Sequence, residues 1–349
     1  MCDIDRLRAN SHLPSTLLLN ARSLCNKIED LQVTIQTNHK DVHLIAVTET
    51  WFSAEKPATA YPLPGYHQFH HDRTNRIGGG VALYVRNDLN ATLCVFKSNI
   101  PKNIEIMWVK LKSSASLPLK DDILVCVTYC PPRSPHQDEL STYIIDIVDT
   151  VRVQFDNMSL LIMGDFNDLD TKPIELHTSL QQIVNMPTRG SAILDKIFTD
   201  VASSYCDPVI CAPLGKSDHC VISLKPQNDN NQQKTASRRT SRPFRDSAVR
   251  CFGQWITHTD WREMNELTDA SVKADWFQQI ITDQYRYHFK EITSIHRPSD
   301  KAWMNNRIRR LIVTRDAQFK KGDTWAYKKS RNLVQREILR AKKTFYAQK

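Results

Sequence analysis

The fold of this chain is decided by a stretch in which a short apolar run ends abruptly in small and polar residues, LLIMGDFN at positions 160–167. A run of large apolar residues bounded by turn-forming neighbours is typical of a buried β-strand. Asp165 and Asn167 stand at positions i and i+2, so a continued extended backbone places both side chains on the same side. The stretch therefore predicts a strand that ends in a carboxylate and an amide.

Seven further apolar runs of this kind lie in the first 224 residues. Two amphipathic helical patterns separate them, one after Ser23 as the expected N-cap and one opening at Ser134-Pro135 with a capping-box pattern. Many strands with few helices indicate large sheets covered by helices, and so an α/β or α+β sandwich. The predicted strands are Thr16–Leu19, His43–Val47, Gly80–Val85, Ile104–Leu111, Ile123–Thr128, Leu194–Thr199 and Cys220–Leu224.

The overall composition excludes several classes of protein. The chain has 349 residues, of which 41% are hydrophobic, with 9 Gly and 16 Pro, so it is not collagenous, low in complexity or wholly disordered. No apolar run reaches the roughly 18–20 residues of a membrane span, and Met1–Asn10 lacks the apolar core of a signal peptide. The nine cysteines are scattered without a Cys-x-x-Cys pair, which favours reduced thiols over disulfides or a zinc site. We therefore expect a nuclear or cytoplasmic location and no secretion.

Charge is distributed unevenly along the chain, whose net charge is +9. Residues 1–224 contain 20 Lys and Arg against 25 Asp and Glu, whereas residues 225–349 contain 27 against 13. A mildly acidic body with a strongly basic tail suggests a polyanionic partner, most plausibly nucleic acid. The alternative is a solvated basic face without a partner.

Composition also suggests the domain boundaries. The segment Pro226–Ser241 contains no large apolar residue and is rich in Asn, Gln, Ser and Arg, which is typical of a linker. Beyond it the pattern is helical and basic, with two interpretations: the cations bind phosphates, or the apolar stripe of a helix pair packs against a partner domain that this chain lacks and the charges are solvated. For Trp303, Trp325 and Phe345 we expect packing in preference to base stacking. The expected division is an N-terminal extension (1–14), a main domain (15–225), a polar linker (226–250) and a helical basic segment (251–349).

Polar residues cluster where the predicted strands end or begin. Taken alone, each has an ordinary explanation: an Asx turn for Asp165 and Asn167, an exposed strand-end charge for Glu49, and a surface turn for Asp218-His219. In a mixed sheet, however, the ends of some strands and the beginnings of others share one edge, so we expect a single cleft. The residues concerned are Asn20, Glu49, Tyr129, Asp165, Asn167, Asp195, Asp218 and His219.

These residues, in this order and spacing, resemble the endonuclease/exonuclease/phosphatase superfamily. More narrowly, residues 15–224 are similar to the apurinic-type endonuclease domain of LINE-type non-LTR retrotransposons. The tail resembles the segment that joins endonuclease to reverse transcriptase in such polyproteins, and we expect the chain to be truncated before the reverse transcriptase. The motifs that carry the resemblance are LNARSL (19–24), ETW (49–51), GGGVALYV (78–85), YCPP (129–132), GDFN (164–167), PTR (187–189), LDKIFT (194–199) and SDH (217–219).

The resemblance implies a four-layered sandwich of two mixed β-sheets flanked by helices, followed by the helical basic C-terminal segment. It implies Mg²⁺-dependent, or Mn²⁺-dependent, hydrolysis of DNA phosphodiester bonds, with no membrane and no obligate protein partner. Anionic phosphodiesters require neutralised charge and an activated water, and the residue types present meet these demands. The implied roles are metal binding by Glu49, assisted by Asp218; activation of water by Asp165, held by Asn167; donation to phosphate by His219, fixed by Asp195; stabilisation of the phosphate by Asn20 and Tyr129; and phosphate contacts by Arg22 and Arg189.

One position departs from the abasic-site repair enzymes of the superfamily, which carry an acid two places after the first Asn. Arg22 stands there, which removes a second metal contact and makes repair of abasic sites a poorer interpretation. Two alternatives to the DNA endonuclease remain at this point. One is a phosphoesterase of the same fold acting on a substrate other than DNA, such as an inositol lipid. The other is a catalytically silent retroelement remnant that only binds nucleic acid.

Overall fold

The computed structural model describes residues 13–40, 42–74, 77–96, 100, 104–155, 157–227, 237–296, 301 and 303–347. The chain divides into two compact units, one made of Met1–Asn230 with Lys301–Lys349 and the other of Asn231–Asp300. Residues 1–12 of the expected N-terminal extension and residues 228–236 of the expected linker lie outside the described residues. None of the described helices combines the length and the apolar character of a membrane span.

The first unit contains two six-stranded mixed sheets. In the first sheet the strand order is β11-β12-β1-β2-β4-β3, and only the central pair β1–β2 is parallel. Its strands are β1 (Thr16–Asn20), β2 (Leu44–Thr48), β3 (Tyr66–His71), β4 (Val81–Arg86), β11 (Val209–Cys211) and β12 (Val221–Leu224).

The second sheet repeats this design. Its order is β5-β6-β7-β8-β10-β9, again with one parallel pair, β7–β8, at the centre. Its strands are β5 (Asn90–Cys94), β6 (Glu105–Lys112), β7 (Ile123–Tyr129), β8 (Ser159–Asp165), β9 (Gln181–Gln182) and β10 (Asp195–Thr199).

Helices cover the outer face of each sheet, so the layers are helix, sheet, sheet and helix. Alternation along β8 shows why: Leu161 and Met163 face the core between the sheets, whereas Leu160 and Ile162 face the covering helix α2. The first sheet is covered by α1 through Leu31 and Ile35. The helices of this part are α1 (Ile28–Asn38), α2 (Gln137–Gln154) and α3 (Lys172–Thr178).

The two parallel pairs position the site. Because β1 and β2 run parallel, Asn20 at the end of β1 lies beside the end of β2. Because β7 and β8 run parallel, Tyr129 pairs with Asp165 at the same end of the second sheet. Antiparallel β10 begins there, with Asp195 opposite Asp165. The predicted four-layered sandwich is therefore confirmed, and all eight predicted strands are present within one or two residues of their expected ends.

Several elements differ from the sequence-based expectation. Strands β3, β5, β9 and β11 were not predicted, because they are partly exposed or very short and carry mixed polar and apolar residues. Ser23 is not the N-cap of α1: its φ is 74°, and the helix begins five residues later at Ile28. The second helix begins at Gln137 rather than at Pro135.

The last two helices belong to the first unit. They are α7 (Asn306–Lys320) and α8 (Thr324–Ala347), and their apolar sides pack with Val33 of α1. Trp303 is buried in this cluster and Phe345 packs against it, as expected, whereas Trp325 is exposed. The apolar stripe thus packs on the sandwich itself.

The second unit is a small helical assembly with one two-stranded antiparallel sheet. Its strands, β13 (Ser237–Ser241) and β14 (Ile292–His296), pair along their whole length. The helices between them are α4 (Asp246–His258), α5 (Arg262–Glu266) and α6 (Ala270–His288). The interval 226–250, expected to be a linker, therefore includes β13 and the start of α4.

Candidate active site

The centre of the site is a side-chain amide that joins two carboxylates from different sheets. The Nδ2 atom of Asn20 donates to Oε1 of Glu49 at 3.0 Å and to Oδ2 of Asp165 at 2.7 Å. The Oδ1 atom of Asn20 accepts the backbone N–H of Arg22 at 2.9 Å, which fixes the amide orientation. Asn20 and Asp165 are buried, whereas Glu49 is half-buried. Residues 145 positions apart thus meet at the edge predicted for them.

The imidazole of His219 lies between Asp165 and a third carboxylate, that of Asp195. Its Nδ1 atom lies 2.8 Å from Oδ2 of Asp195, and its Nε2 atom lies 4.0 Å from Oδ2 of Asp165. Ligand atoms of the three side chains all lie within 4.8 Å of one another. Because Nδ1 is engaged by Asp195, Nε2 is the nitrogen that faces the cleft.

Burial and charge shift the pKa values of this group in a consistent direction. Burial, reinforced by the negative charge of Asp195, raises the pKa of Asp165 above its ordinary value. Burial alone lowers the pKa of His219, but the hydrogen bond to Asp195 and the nearby carboxylates outweigh it and raise the pKa. The site therefore favours a protonated imidazole beside a carboxyl group that accepts protons more readily than an exposed aspartate.

The turn after β8 holds Asp165 in place. The backbone N–H of Asn167 donates to Oδ1 of Asp165 at 3.0 Å, and Nδ2 of Asn167 donates to the carbonyl of Cys130 at 2.9 Å. At Gly164 a Cβ atom would collide with the carbonyl of Thr128 on the neighbouring strand, so only glycine allows this approach. The GDFN stretch is thus an Asx-type turn that also positions a functional carboxylate.

Backbone strain is concentrated around the same edge. The structure has seven non-glycine residues with positive φ among those it describes, and five of them flank the site. Such conformations cost about 1–3 kcal/mol each and persist where surrounding contacts enforce them, which is typical of functional sites. The five are Arg22, Ser23, Glu49, Trp51 and Asn167.

A second charged pair lies beside the site, and it was not predicted from the sequence. Glu105, at the start of β6, is buried, forms an ion pair with Arg73 and accepts the backbone N–H of Gly80. The Arg73 guanidinium lies over the ring of Tyr129, 5.5 Å from its centre. Tyr129 itself pairs with Glu105 across the sheet. The one sequence feature that could have indicated this pair is Glu105, an acidic residue near the start of a predicted strand. The sequence around Arg73 has no recognisable motif.

Three of the expected site residues form a separate cluster at the rim. The carboxylate of Asp218 lies 2.7 Å from Nη2 of Arg189 and 3.7 Å from Nη1 of Arg22. All three side chains are substantially exposed. Asp218 therefore faces two arginines at the rim.

The donors at the centre fit a hard divalent cation. Mg²⁺ prefers one or two carboxylates together with water and substrate oxygens. Glu49 fits this requirement because it is half-buried and lies, through Asn20, next to the Asp165 carboxylate. Trp51 donates to Oε2 of Glu49 at 3.2 Å and so orients this carboxylate. In the more buried trio, Oδ2 of Asp195 is engaged by Nδ1 of His219, which favours a hydrogen-bond relay there, while Oδ1 of Asp195 is buried without a hydrogen-bond partner among the described residues.

The protein is thus a four-layered α/β sandwich whose polar site lies at the common edge of its two sheets. The chain belongs to the Endonuclease/Exonuclease/phosphatase family, whose profile matches residues 17–219, more than half of the sequence. The match extends from β1 to His219 and so includes every residue of the site described above. No curated protein sequence matches the chain.

Several solved structures are similar in fold. The AP endonuclease LMAP from Leishmania major has 13% identity and a TM-score of 0.47, covering 62% of this chain and 88% of that chain. The 3′ phosphatase NExo from Neisseria, bound to a product DNA hairpin, has 16% identity and a TM-score of 0.45, covering 61% and 99%. The endonuclease domain of TRAS1, a telomere-specific non-LTR retrotransposon, has 15% identity and a TM-score of 0.43, covering 62% and 99%.

Proposed function

We propose that this protein is a magnesium-dependent endonuclease that hydrolyses phosphodiester bonds of DNA. One observation carries the proposal: the amide of Asn20 holds the carboxylates of Glu49 and Asp165 together, and Nε2 of His219 faces the same Asp165 oxygen. Acid, amide and imidazole groups that converge on one buried edge provide a base, a hydrogen-bond donor and a cation ligand within a few ångströms.

The proton acceptor in this reaction is Asp165. Burial raises its pKa, so the carboxylate takes a proton from an attacking water more readily near neutral pH than an exposed aspartate. Asn20 and the backbone N–H of Asn167 each bind one of its oxygens, which fixes the direction of the remaining lone pairs. Asp165 therefore orients the water and accepts its proton.

The hydrogen-bond donor to the phosphoryl group is His219. Its raised pKa keeps the imidazole protonated, and Asp195 holds the ring so that Nε2 points into the cleft. A positioned donor that meets developing negative charge contributes most in a buried site of low dielectric constant. At the rim, Arg22 and Arg189 contact flanking phosphates, with Asp218 holding both guanidinium groups.

Glu49 holds the magnesium ion in this proposal, and Mn²⁺ is expected to substitute for it. The bound ion neutralises charge on the phosphoryl oxygens and stabilises the leaving oxygen. The residues of the chain then perform positioning and proton transfer as described. Tyr129, adjacent to Asp165 and Arg73, steadies the phosphate.

The biological role we infer is nicking of target DNA in the nucleus, so that a 3′-hydroxyl becomes available for reverse transcription. The motifs at residues 19–24, 78–85 and 194–199 support a retroelement origin. Arg22 in place of an acidic residue argues against abasic-site repair. In this proposal DNA is the partner of the cleft.

Relaxation of supercoiled plasmid tests the proposal. The purified chain should nick plasmid with Mg²⁺, and both EDTA and His219→Ala should abolish nicking, whereas His177→Ala at an exposed position should not. Equal nicking by the chain and its His219→Ala variant would identify a contaminant and refute the assignment. Release of phosphate from inositol lipids without nicking would favour the phosphoesterase alternative. Salt-sensitive DNA binding without nicking would favour the silent remnant.

A further inference from the structure

The two C-terminal helices are fixed to the sandwich close to the candidate active site. Besides the apolar contacts with Val33, Nε2 of Gln335 on α8 donates to Oδ2 of Asp30 on α1 at 3.1 Å. Lys342 pairs with Glu29 one residue earlier on α1. The side of α8 that carries Gln335 and Lys342 is thus held against the beginning of α1.

This contact point is connected to the loops that carry site residues. Gly215 lies against Asp30, Gln335 and Lys27, with atoms of each 3.1–3.2 Å from where its Cβ would be. Two residues later, the Ser217 hydroxyl donates to the carbonyl of Asn20 at 2.7 Å. The Nζ atom of Lys27 donates to the carbonyls of residues 21 and 22 at 2.6 Å. Helix α8 therefore lies beside the loops that lead to Asn20 and His219.

The face of α8 opposite its packed apolar side chains Val334 and Ile338 is exposed and basic. We call this face the basic stripe; its members recur at spacings of three and four residues and so share one side of the helix. The only acid of α8, Glu337, is buried and pairs with Arg307 and Arg340. The exposed Trp325 and Tyr346 lie near its two ends. The basic stripe consists of Lys328, Lys329, Asn332, Arg336, Arg340 and Lys343.

A row of like charges opposes helix formation unless an anion offsets it. Like charges at i,i+3 and i,i+4, such as Arg336 with Arg340 and Arg340 with Lys343, destabilise a helix, and the ion pair of Arg340 with Glu337 offsets part of this repulsion. From Lys328 to Lys343 the helix rises about 22 Å. The same length of duplex DNA carries roughly 13 phosphate charges. The five cations of the basic stripe, in which Asn332 is the one neutral member, therefore suffice to contact part of the phosphates along such a segment of backbone.

Further cations connect the basic stripe to the rim of the cleft. Exposed Lys216 follows Gly215 directly, and Arg336 follows Gln335 directly, so cations flank the contact between these two segments. Two residues beyond Lys216, Asp218 holds Arg22 and Arg189. Positive charge is thus present at the rim, at the contact point and along α8.

We propose that the basic stripe of α8 binds the backbone of duplex DNA outside the cleft, as a second contact surface for the substrate. The proposal rests on the proposed function, because it takes the DNA cut in the cleft as the molecule that α8 also holds. Duplex DNA is favoured over RNA because the stripe is straight and lies on the same unit as the endonuclease site. The contact is to phosphates, so it is expected to increase affinity without sequence preference.

The salt dependence of DNA binding tests this proposal. The full-length chain carrying Asp165→Asn, which binds without cutting, is titrated into a labelled duplex at several salt concentrations. Each lost phosphate contact should reduce the slope of log K against log salt by about 0.9. We therefore expect Lys329→Gln with Arg336→Gln to reduce the slope by nearly 2 and to weaken binding at every salt concentration. These positions are exposed, so the substitutions should leave the urea unfolding midpoint unchanged.

The matched control removes the same charge from the other end of the sandwich. Lys112 and Lys120 are exposed and lie at the end of β6 and before β7, away from the edge where Glu105 begins β6. Lys112→Gln with Lys120→Gln should leave the slope unchanged. An unchanged slope in the stripe variant, or equal losses in both variants, would overturn the proposal. Stripe-dependent binding of duplex RNA but not of duplex DNA would also overturn it.

The test separates this proposal from the proposed function. If the chain with native Asp165 nicks plasmid and the stripe variant binds DNA as the parent does, the stripe proposal fails and the endonuclease assignment stands. If the chain does not nick but binding depends on the stripe, the assignment fails and the stripe proposal is supported.

Discussion

The Nδ1 atom of His219 lies 2.8 Å from Oδ2 of Asp195, and both side chains are buried at the end of the strands that carry the site. This contact determines both the orientation and the charge of the imidazole. The carboxylate favours the protonated ring and raises its pKa, although burial acts in the opposite direction. In the proposed reaction, Nε2 is left to donate to the bound phosphate.

The first prediction concerns the pH dependence of nicking in Asp195→Asn. A donor with a raised pKa is charged below that pKa, so activity is lost as the pH rises through it. Removing the Asp195 charge lowers the pKa of His219, and the basic limb of kcat/KM should move to lower pH. Titration of the His219 ring by NMR should show the same shift. If both the basic limb of the pH profile of kcat/KM and the pKa of the His219 imidazole stay unchanged in Asp195→Asn, this role of Asp195 is contradicted.

The second prediction concerns the metal requirement. Glu49→Gln keeps the size of the side chain but removes the charge that attracts Mg²⁺, so the Mg²⁺ concentration for half-maximal nicking should rise about 10- to 100-fold. Direct binding of Mn²⁺, followed by water-proton relaxation, should weaken in parallel. Glu55→Gln, at an exposed position, is the control and should change neither measurement. Equal Mg²⁺ requirements in the two variants would exclude Glu49 as a ligand.

The third prediction concerns the packing of α8 on α1. Ile338 is 3% exposed in the cluster with Val33, whereas its neighbour Leu339 is 66% exposed. Ile338→Ala should lower the free energy of unfolding by about 2–4 kcal/mol because it leaves a cavity. Leu339→Ala should change it by less than about 0.5 kcal/mol. Urea denaturation measures both, and similar losses in the two variants would contradict the docked position of α8.

The fourth prediction concerns acid stability. Burial lowers the pKa of His39 from 6.5 to about 4, and Lys225 adds to this effect. Between pH 6.5 and about pH 4, His39 is therefore protonated in the unfolded chain but neutral in the folded chain. The free energy of unfolding falls as the pH decreases through this range. The loss should be roughly 2–3 kcal/mol. His39→Gln should remove this part of the pH dependence, while His67→Gln, at an exposed position, should not. Superimposable pH profiles for the chain and His39→Gln would refute it.

Much of this arrangement was predictable from the sequence, and particular residues show why. The run at 160–167 is buried on both faces of its sheet. Its first four residues are therefore all apolar, and the change to polar residues at its end can be recognised from the sequence alone. The positions of Asn20 beside the end of β2 and of Tyr129 beside Asp165 followed from the rule that neighbouring strands share an edge, whereas that rule does not give the contact of Asn20 with Asp165 between the two sheets. The pair Arg73–Glu105 was not predictable, because an arginine in a loop carries no pattern until the fold brings it to an acid. Ser23 failed as a cap because the strained loop after Asn20 takes precedence over local propensity.

The packing position of α8 on the sandwich also could not be predicted from the sequence. Its apolar stripe marked one face for packing, but nothing in the spacing of Val334 and Ile338 identifies α1 as the surface covered. Similarly, the polar composition before residue 242 indicated a linker, yet Ser237–Ser241 pairs with a strand more than fifty residues later. Pairings over such distances depend on tertiary contacts that local composition does not encode.

The central claim is that the carboxylate of Asp165 activates the attacking water, and the single-turnover rate of duplex nicking tests it most directly. Asp165→Asn preserves the shape of the side chain and should lower this rate by about 10²- to 10⁴-fold at saturating Mg²⁺. Asp168→Asn, three residues later at an exposed position, should keep most of the activity. Retention of the parent rate by Asp165→Asn would contradict the account.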